Sequence, residues 1–95
     1  MKILVITHDA PQAKPLDFAS HSKAEARRVW ELYQQGTLRE IYFRADRPDA
    51  VLMLESEDLE SAGEVVESLP LVRKRLIDYE LIPLVPYPGL ERLFA

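Results

Sequence analysis

The order of apolar and polar positions divides the chain into six segments. Lys2 to Thr7 (KILVIT) is a short apolar run rich in β-branched residues, bounded by His8, Asp9 and Pro11. It is too short for a helix and predicts a central strand. Asp9 to Phe18 carries Pro11 and Pro15 among small and polar neighbours and reads as a loop. Ser22 followed by Glu25 fits a capping box, which places a helix start there. Ala26, Val29, Trp30 and Tyr33 then recur at spacings of three and four, a stripe that should face a sheet with both aromatics in the core. Gly36 stands where the helix must stop. Leu38 to Arg44 alternates, Ala50 to Glu55 is apolar, and Asp46 and Pro48 lie between them, which predicts a hairpin. Ser56 is the expected cap of a second helix with acidic residues in its first turn and a stripe of Leu59, Ala62, Val65, Val66 and Leu69. Leu76 to Leu84 completes the set as a strand whose Pro83 belongs near a sheet edge.

The order β-α-β-β-α-β is the ferredoxin-like α+β arrangement, a four-stranded antiparallel sheet with both helices on one face, here as one domain over residues 1–95. The other face must be polar or covered. Ile41, Phe43, Ile77, Tyr79 and Leu81 alternate with Glu40, Tyr42, Arg44, Asp78 and Glu80. The first set should meet the helices. The second set then falls on the open face, with Leu52 and Leu54 as its apolar members. Such a mixture suits a second copy packed across it, leaving a small polar cavity between the sheets. The ending LVPYPGLERLFA is also rich in apolar side chains, which calls for a surface to dock on.

Composition narrows the partners. Sixteen acidic against twelve basic residues give a net charge of -4, which offers no positive field for nucleic acid. The hairpin strand Ala50 to Glu55 also lacks the aromatics and glycine of an RNA-recognition sheet. No apolar run approaches the roughly 20 residues of a membrane span. Met1 to Thr7 has no signal-peptide pattern, so a soluble, cytoplasmic protein is expected. Cysteine is absent, which removes disulfides, thiol nucleophiles and cysteine-bearing metal sites, and asparagine is absent too. With two histidines and three glycines, neither a metal-ligand set nor a phosphate-cradling loop is visible, and no cofactor is expected.

The stretch LYQQGTLREIYFRADRPDAVLMLESEDLESAGEVVESLPL, Leu32 to Leu71, resembles the muconolactone delta-isomerase family, in which a helix ending in glycine runs into a strand, a hairpin and a helix closing on "LPL". YELIPLVPYPGLERLF, Tyr79 to Phe94, is similar to the endings of relatives in that group. The resemblance implies a dimeric α+β barrel, in which two ferredoxin-like subunits set their open sheets together. It also implies cofactor-free isomerisation of a small unsaturated lactone; a non-catalytic small-molecule-binding module on the same dimer is the alternative.

Shifting a double bond in a lactone requires a base and a donor for the dienolate oxygen. Asp78 and Glu80 supply carboxylates and Tyr42 and Arg44 supply donors on the expected open face. His8, where the first strand runs out, is a candidate proton carrier at the rim of the same cavity. The competing reading of the charged strand positions is cross-strand ion pairing on a wetted surface. His21, just before the expected helix cap, has no assigned role.

Overall fold

The computed structural model describes all 95 residues. The elements are β1 (Lys2–Asp9), α1 (Pro15–Gln34), β2 (Leu38–Phe43), β3 (Ala50–Glu55), α2 (Leu59–Glu67), α3 (Pro70–Arg73) and β4 (Ile77–Leu84), followed by a 3₁₀ segment at Pro88–Phe94. The four strands form one antiparallel sheet in the order β2-β3-β1-β4. β1 and β3 are therefore central, and β2 and β4 are edges. This is the ferredoxin-like α+β fold. No helix is long and apolar enough to cross a membrane.

Register assigns the faces. Ile3 pairs with Leu54 and Pro83, and Val5 pairs with Leu52 and Leu81. Ile41 lies against Leu52 and Phe43 against Ala50. These residues share the helix-covered face with Leu38, and the core forms where Ile3, Val5, Leu32, Leu38, Leu52, Leu54, Val66 and Val72 pack together. Leu52 and Leu54 thus belong to the core and not to the open face. The run AVLML is apolar at both parities, so alternation could not sort it. Its open-face members are Val51 and Met53, which stand beside Ile6 and Leu4.

The first helix begins seven residues before the Ser22 cap expected from the sequence. Pro15 opens it, with φ already suited to a first turn. Asp17 closes the start by accepting the Lys14 backbone N–H on Oδ2 at 3.0 Å. Ser22 is inside the helix and donates to the Ala19 carbonyl, and His21 is inside it too, half-buried. The helix also presents a different stripe from the one expected. Leu32 is its fully buried residue, whereas Trp30 and Tyr33 are 57% and 54% exposed. Those two rings stack on one another at 5.9 Å on the outer surface. Gly36, with φ of 80°, ends the helix in the left-handed conformation.

Asp58, not Ser56, caps α2: its Oδ1 accepts the Ser61 N–H at 2.7 Å, while the Ser56 hydroxyl donates to the Asp58 carbonyl. Ala62, Val66 and Leu69 of the expected stripe are buried, and Leu59 at the helix start is exposed. Pro70 opens a further helical turn, α3, and β4 follows. Beyond Leu84 the chain leaves the body of the domain: Val85, Tyr87, Leu93 and Phe94 are all largely exposed, and the longest dimension of the molecule reaches 57 Å.

Candidate functional site

The open face can be read in rows across the sheet. β1 runs as a strand through Asp9, two residues further than its apolar run, because it continues to pair with β4: His8 lies opposite Asp78 and Ile6 opposite Glu80. On the other side Ile6 lies opposite Val51, which in turn lies opposite Tyr42. One row is thus Tyr42, Val51, Ile6 and Glu80. The next row toward the β2–β3 turn carries Arg44, Asp49, His8 and Asp78, with the Arg44 backbone N–H donating to the Asp49 carbonyl at 2.8 Å. The preceding row holds Glu40, Met53, Leu4 and Ile82. A half-buried apolar strip of Leu4, Ile6, Val51, Met53 and Ile82 therefore runs up the middle of the face and ends in a charged row.

His8 is the centre of that row. Its Nδ1 is 3.1 Å from Asp49 Oδ2, and its Nε2 is 3.2 Å from Glu80 Oε2. Carboxylates accept only, so both ring nitrogens act as donors when both contacts are made, and this is the imidazolium form. The two bonds, to Glu80 first and to Asp49 second, hold the His8 pKa above its ordinary value of 6.5. Asp49 is 3% exposed, and Arg47 Nε reaches the same Oδ2 at 2.6 Å. The buried carboxylate therefore fixes the ring orientation from one side, and Glu80 meets the other nitrogen from solvent.

Of the residues singled out from sequence, His8 and Glu80 are in contact, and Asp78 stands opposite His8 with its side chain exposed. Tyr42 and Arg44 lie on the same end of the same face but are engaged elsewhere. The Tyr42 hydroxyl donates to Glu40 Oε1 at 2.8 Å, and this bond raises its pKa. Arg44 grips Asp46 with Nε and Nη2 at 2.9 and 2.6 Å, which raises its own pKa and lowers that of Asp46. Asp49, the best-shielded polar group of the cluster, was not singled out from sequence because "DRPDA" reads as turn chemistry. Counting the hairpin register forward from Val51 opposite Ile6 would have placed it beside His8.

The other face of the same end of the sheet is hollow. A cleft of about 690 Å³ lies between α1 and the sheet, with mainly apolar walls and with Glu25 among its lining residues. Glu25 Oε1 accepts the Leu71 backbone N–H at 3.0 Å, which ties α1 to the start of α3. Burial pushes the Glu25 carboxyl above the ordinary carboxylate range, while the Leu71 N–H acts in the opposite direction. No group of three or more His, Asp or Glu side chains is arranged to hold a metal ion.

No model of a known protein family matches this sequence, and no curated relative matches it. Solved structures do match. The crystal structure of muconolactone isomerase superposes with a TM-score of 0.77 at 20% identity, covering 94% of this chain and 93% of that one. The 5-chloro-2-hydroxyhydroquinone dehydrochlorinase from Burkholderia phenoliruptrix AC1100, solved in complex with 2,5-dihydroxybenzoquinone, superposes with a TM-score of 0.73 at 14% identity, over 94% of this chain and 98% of its own. At such identities the likeness speaks for the backbone and not for the chemistry. Over 94% of its length, then, the chain has the ferredoxin-like α+β fold that muconolactone isomerase has.

Proposed function

We propose that this protein binds a small unsaturated, oxygenated ring compound on the open face of its sheet, beneath a second copy of itself, and moves a proton within it. The observation that carries the reading is His8, fixed between a buried and a solvent-facing carboxylate at the end of an apolar strip. That strip is half-buried in one chain, and a second sheet laid over it would enclose the strip and the charged row together. The structural neighbours, an isomerase of a lactone and an enzyme held with a quinone, suggest which compounds to try.

In this reading Glu80 is the base. Its Oε2 is held by His8, and its Oε1, which makes no hydrogen bond, takes a proton from the carbon next to the conjugated carbonyl. The C–H electron pair moves into a dienolate. The same carboxyl returns the proton at the far carbon, so the double bond shifts with no net gain or loss of atoms. The adjacent imidazolium offsets the negative charge as it passes from Glu80 to the substrate oxygen and back. Asp49 is a positioning residue that holds the ring through Nδ1. Asp78, Tyr42 and Arg44 border the substrate; Arg44 has Nη1 free of any bond for a carbonyl or carboxylate.

The test is hydrogen–deuterium exchange and double-bond migration in a simple butenolide in D₂O, followed by NMR. Wild-type protein should catalyse both. Glu80→Gln should lose about a hundredfold or more, the usual size of positioned proton transfer. Absence of exchange with every butenolide tried, or an unimpaired Glu80→Gln protein, refutes the chemistry. If ring compounds bind at the open face with no turnover, the protein is a small-molecule-binding module. Sedimentation at micromolar concentration should show a dimer or larger assembly, and a stable monomer removes the enclosure on which the reading depends.

A further inference from the structure

The two edges of the sheet are protected unequally. β4 carries Pro83, which has no N–H to offer a further strand. β2 has no proline, and its one irregularity, the register shift between Leu38 and Glu40, lies at its start. The stretch from Glu40 to Arg44 is left as a regular, unpaired edge. Its apolar side chains are uncovered as well: Ile41 is 41% exposed and Phe43 is 80% exposed, although both project from the side of the sheet on which the helices lie.

The backbone groups on that edge follow from the ladder. The Arg44 N–H donates to the Asp49 carbonyl at 2.8 Å, so in antiparallel alternation Tyr42 and Glu40 also turn their backbone groups toward β3. Ile41 and Phe43 turn theirs outward. A further antiparallel strand must therefore set its own outward residues against these two. If that strand is another β2, few registers remain. Ile41 against Arg39 sets Glu40 opposite Glu40, a like-charge pair. Ile41 against Ile41 sets Phe43 opposite Arg39, in the irregular stretch. Ile41 against Phe43 sets Tyr42 opposite Tyr42 and Glu40 opposite Arg44, in the non-hydrogen-bonded positions where side chains come closest. This last register is self-complementary in charge and brings each Ile41 beside the Phe43 of the other chain.

We infer that two copies of this chain pair antiparallel through β2 about a two-fold axis at Tyr42, joining their sheets edge to edge with Glu40 of each chain opposite Arg44 of the other. The contact is isologous, so it closes on itself. It does not depend on the open-face chemistry, because it lies in the plane of the sheet and leaves that face uncovered.

The chain has no cysteine, which makes disulfide mapping on the full-length protein unambiguous. Tyr42→Cys should cross-link to itself on mild oxidation, since Cα atoms about 4.5 Å apart at such a pair suit a disulfide. Ile41→Cys and Phe43→Cys should cross-link to each other in a mixture in preference to themselves. Those two positions are on the helix-covered side, out of reach of a copy lying on the open face. Sedimentation over a concentration series tests the charges. Glu40→Arg alone and Arg44→Glu alone each set like charges across the axis, whereas a mixture of the two restores opposite charges at both places. The mixed pair should associate about tenfold or more tightly than either variant with itself. Equal association of the mixture and the single variants overturns the inference. Ile41→Cys cross-linking mainly to itself overturns the register, and so does a Tyr42→Cys protein that stays uncross-linked. The cysteine results stand whether or not the charge variants fold. Capture of Phe43→Cys by Phe94→Cys of another copy, in place of Ile41→Cys, would give the edge to the tail and would equally end the inference.

Discussion

Thr7 stands one position before His8, and its hydroxyl bridges the point where the β1–β3 ladder stops. Paired residues run from Lys2 opposite Glu55 to Ile6 opposite Val51. The next positions in that register, Thr7 and Ala50, are joined through the side chain: Thr7 Oγ1 accepts the Ala50 N–H at 2.9 Å and lies 3.4 Å from the Ala50 carbonyl. Thr7 is 5% exposed, so Thr7→Val keeps the shape and strands a shielded N–H. An unsatisfied buried donor costs about 1–3 kcal/mol. The methyl that replaces the hydroxyl recovers up to about 0.8 kcal/mol. The net loss is therefore about 1 kcal/mol, measurable by urea denaturation. Thr7→Ser loses a buried methyl at similar cost, so stability alone does not separate the two variants. His8 does. Freeing Ala50 loosens the hairpin end that carries Asp49, and the His8 ring protons should then titrate closer to 6.5 in Thr7→Val than in the wild type, with Thr7→Ser unchanged. A Thr7→Val protein of wild-type stability with an unaltered His8 titration would refute the idea that this hydroxyl holds the cluster together.

The raised pKa of His8 gives its ion pairs a pH window: their contribution is complete below about 6.5 and is lost as pH rises through the folded-state value. Wild type should therefore exceed His8→Gln in stability most at mildly acidic pH, and a gap that widens toward alkaline pH in denaturation curves contradicts this. Glu25 is also raised, so its favourable contribution is complete below its ordinary 4.5 and fades as pH rises through the folded value. At neutral pH Glu25→Gln should melt no lower than the wild type, and below that window the order should reverse or close. Leu32→Ala should cost about 2–5 kcal/mol and Trp30→Ala about 1 kcal/mol or less, because the leucine is enclosed and the tryptophan is a surface ring stacked on Tyr33. Comparable losses would mean that the aromatics face the sheet after all.

The strands were legible where the period of two was clean. Ile41 and Phe43 against Glu40 and Tyr42, and Ile77, Tyr79 and Leu81 against Asp78 and Glu80, fall on the faces their alternation indicates. A run apolar at every position carries no such signal, and Leu52 and Leu54 were misplaced for that reason. At the first helix two start signals compete. Ser22 and Glu25 have capping-box spacing, but Pro15 with Asp17 also satisfies a first turn and lies earlier. Once nucleated there, the helix continues through Ser22, and Glu25 is released to reach Leu71. Trp30 and Tyr33 match the period of the stripe but sit to one side of Leu32, and spacing does not say which residue lies at the middle of a buried face. The proximity of His8 and Glu80 followed from two adjacent strands. Asp49 depended on a hairpin register that turn composition does not reveal.

The central position of β1 has a consequence for how the molecule comes into being. Lys2 pairs with Leu84 and Asp9 with Ile77, so the first strand made lies beside one of the last. The β2–β3 hairpin can close as soon as its own residues exist, but β1 acquires its second neighbour only after all three helices have been synthesised. Pairings so distant along the chain close slowly. Until they do, a nascent chain holds an apolar strand with one open edge beside the ribosome exit, where it is open to aggregation. The time for which that edge of β1 stays open before β4 closes on it should therefore weigh on how much chain is lost to aggregation before it folds.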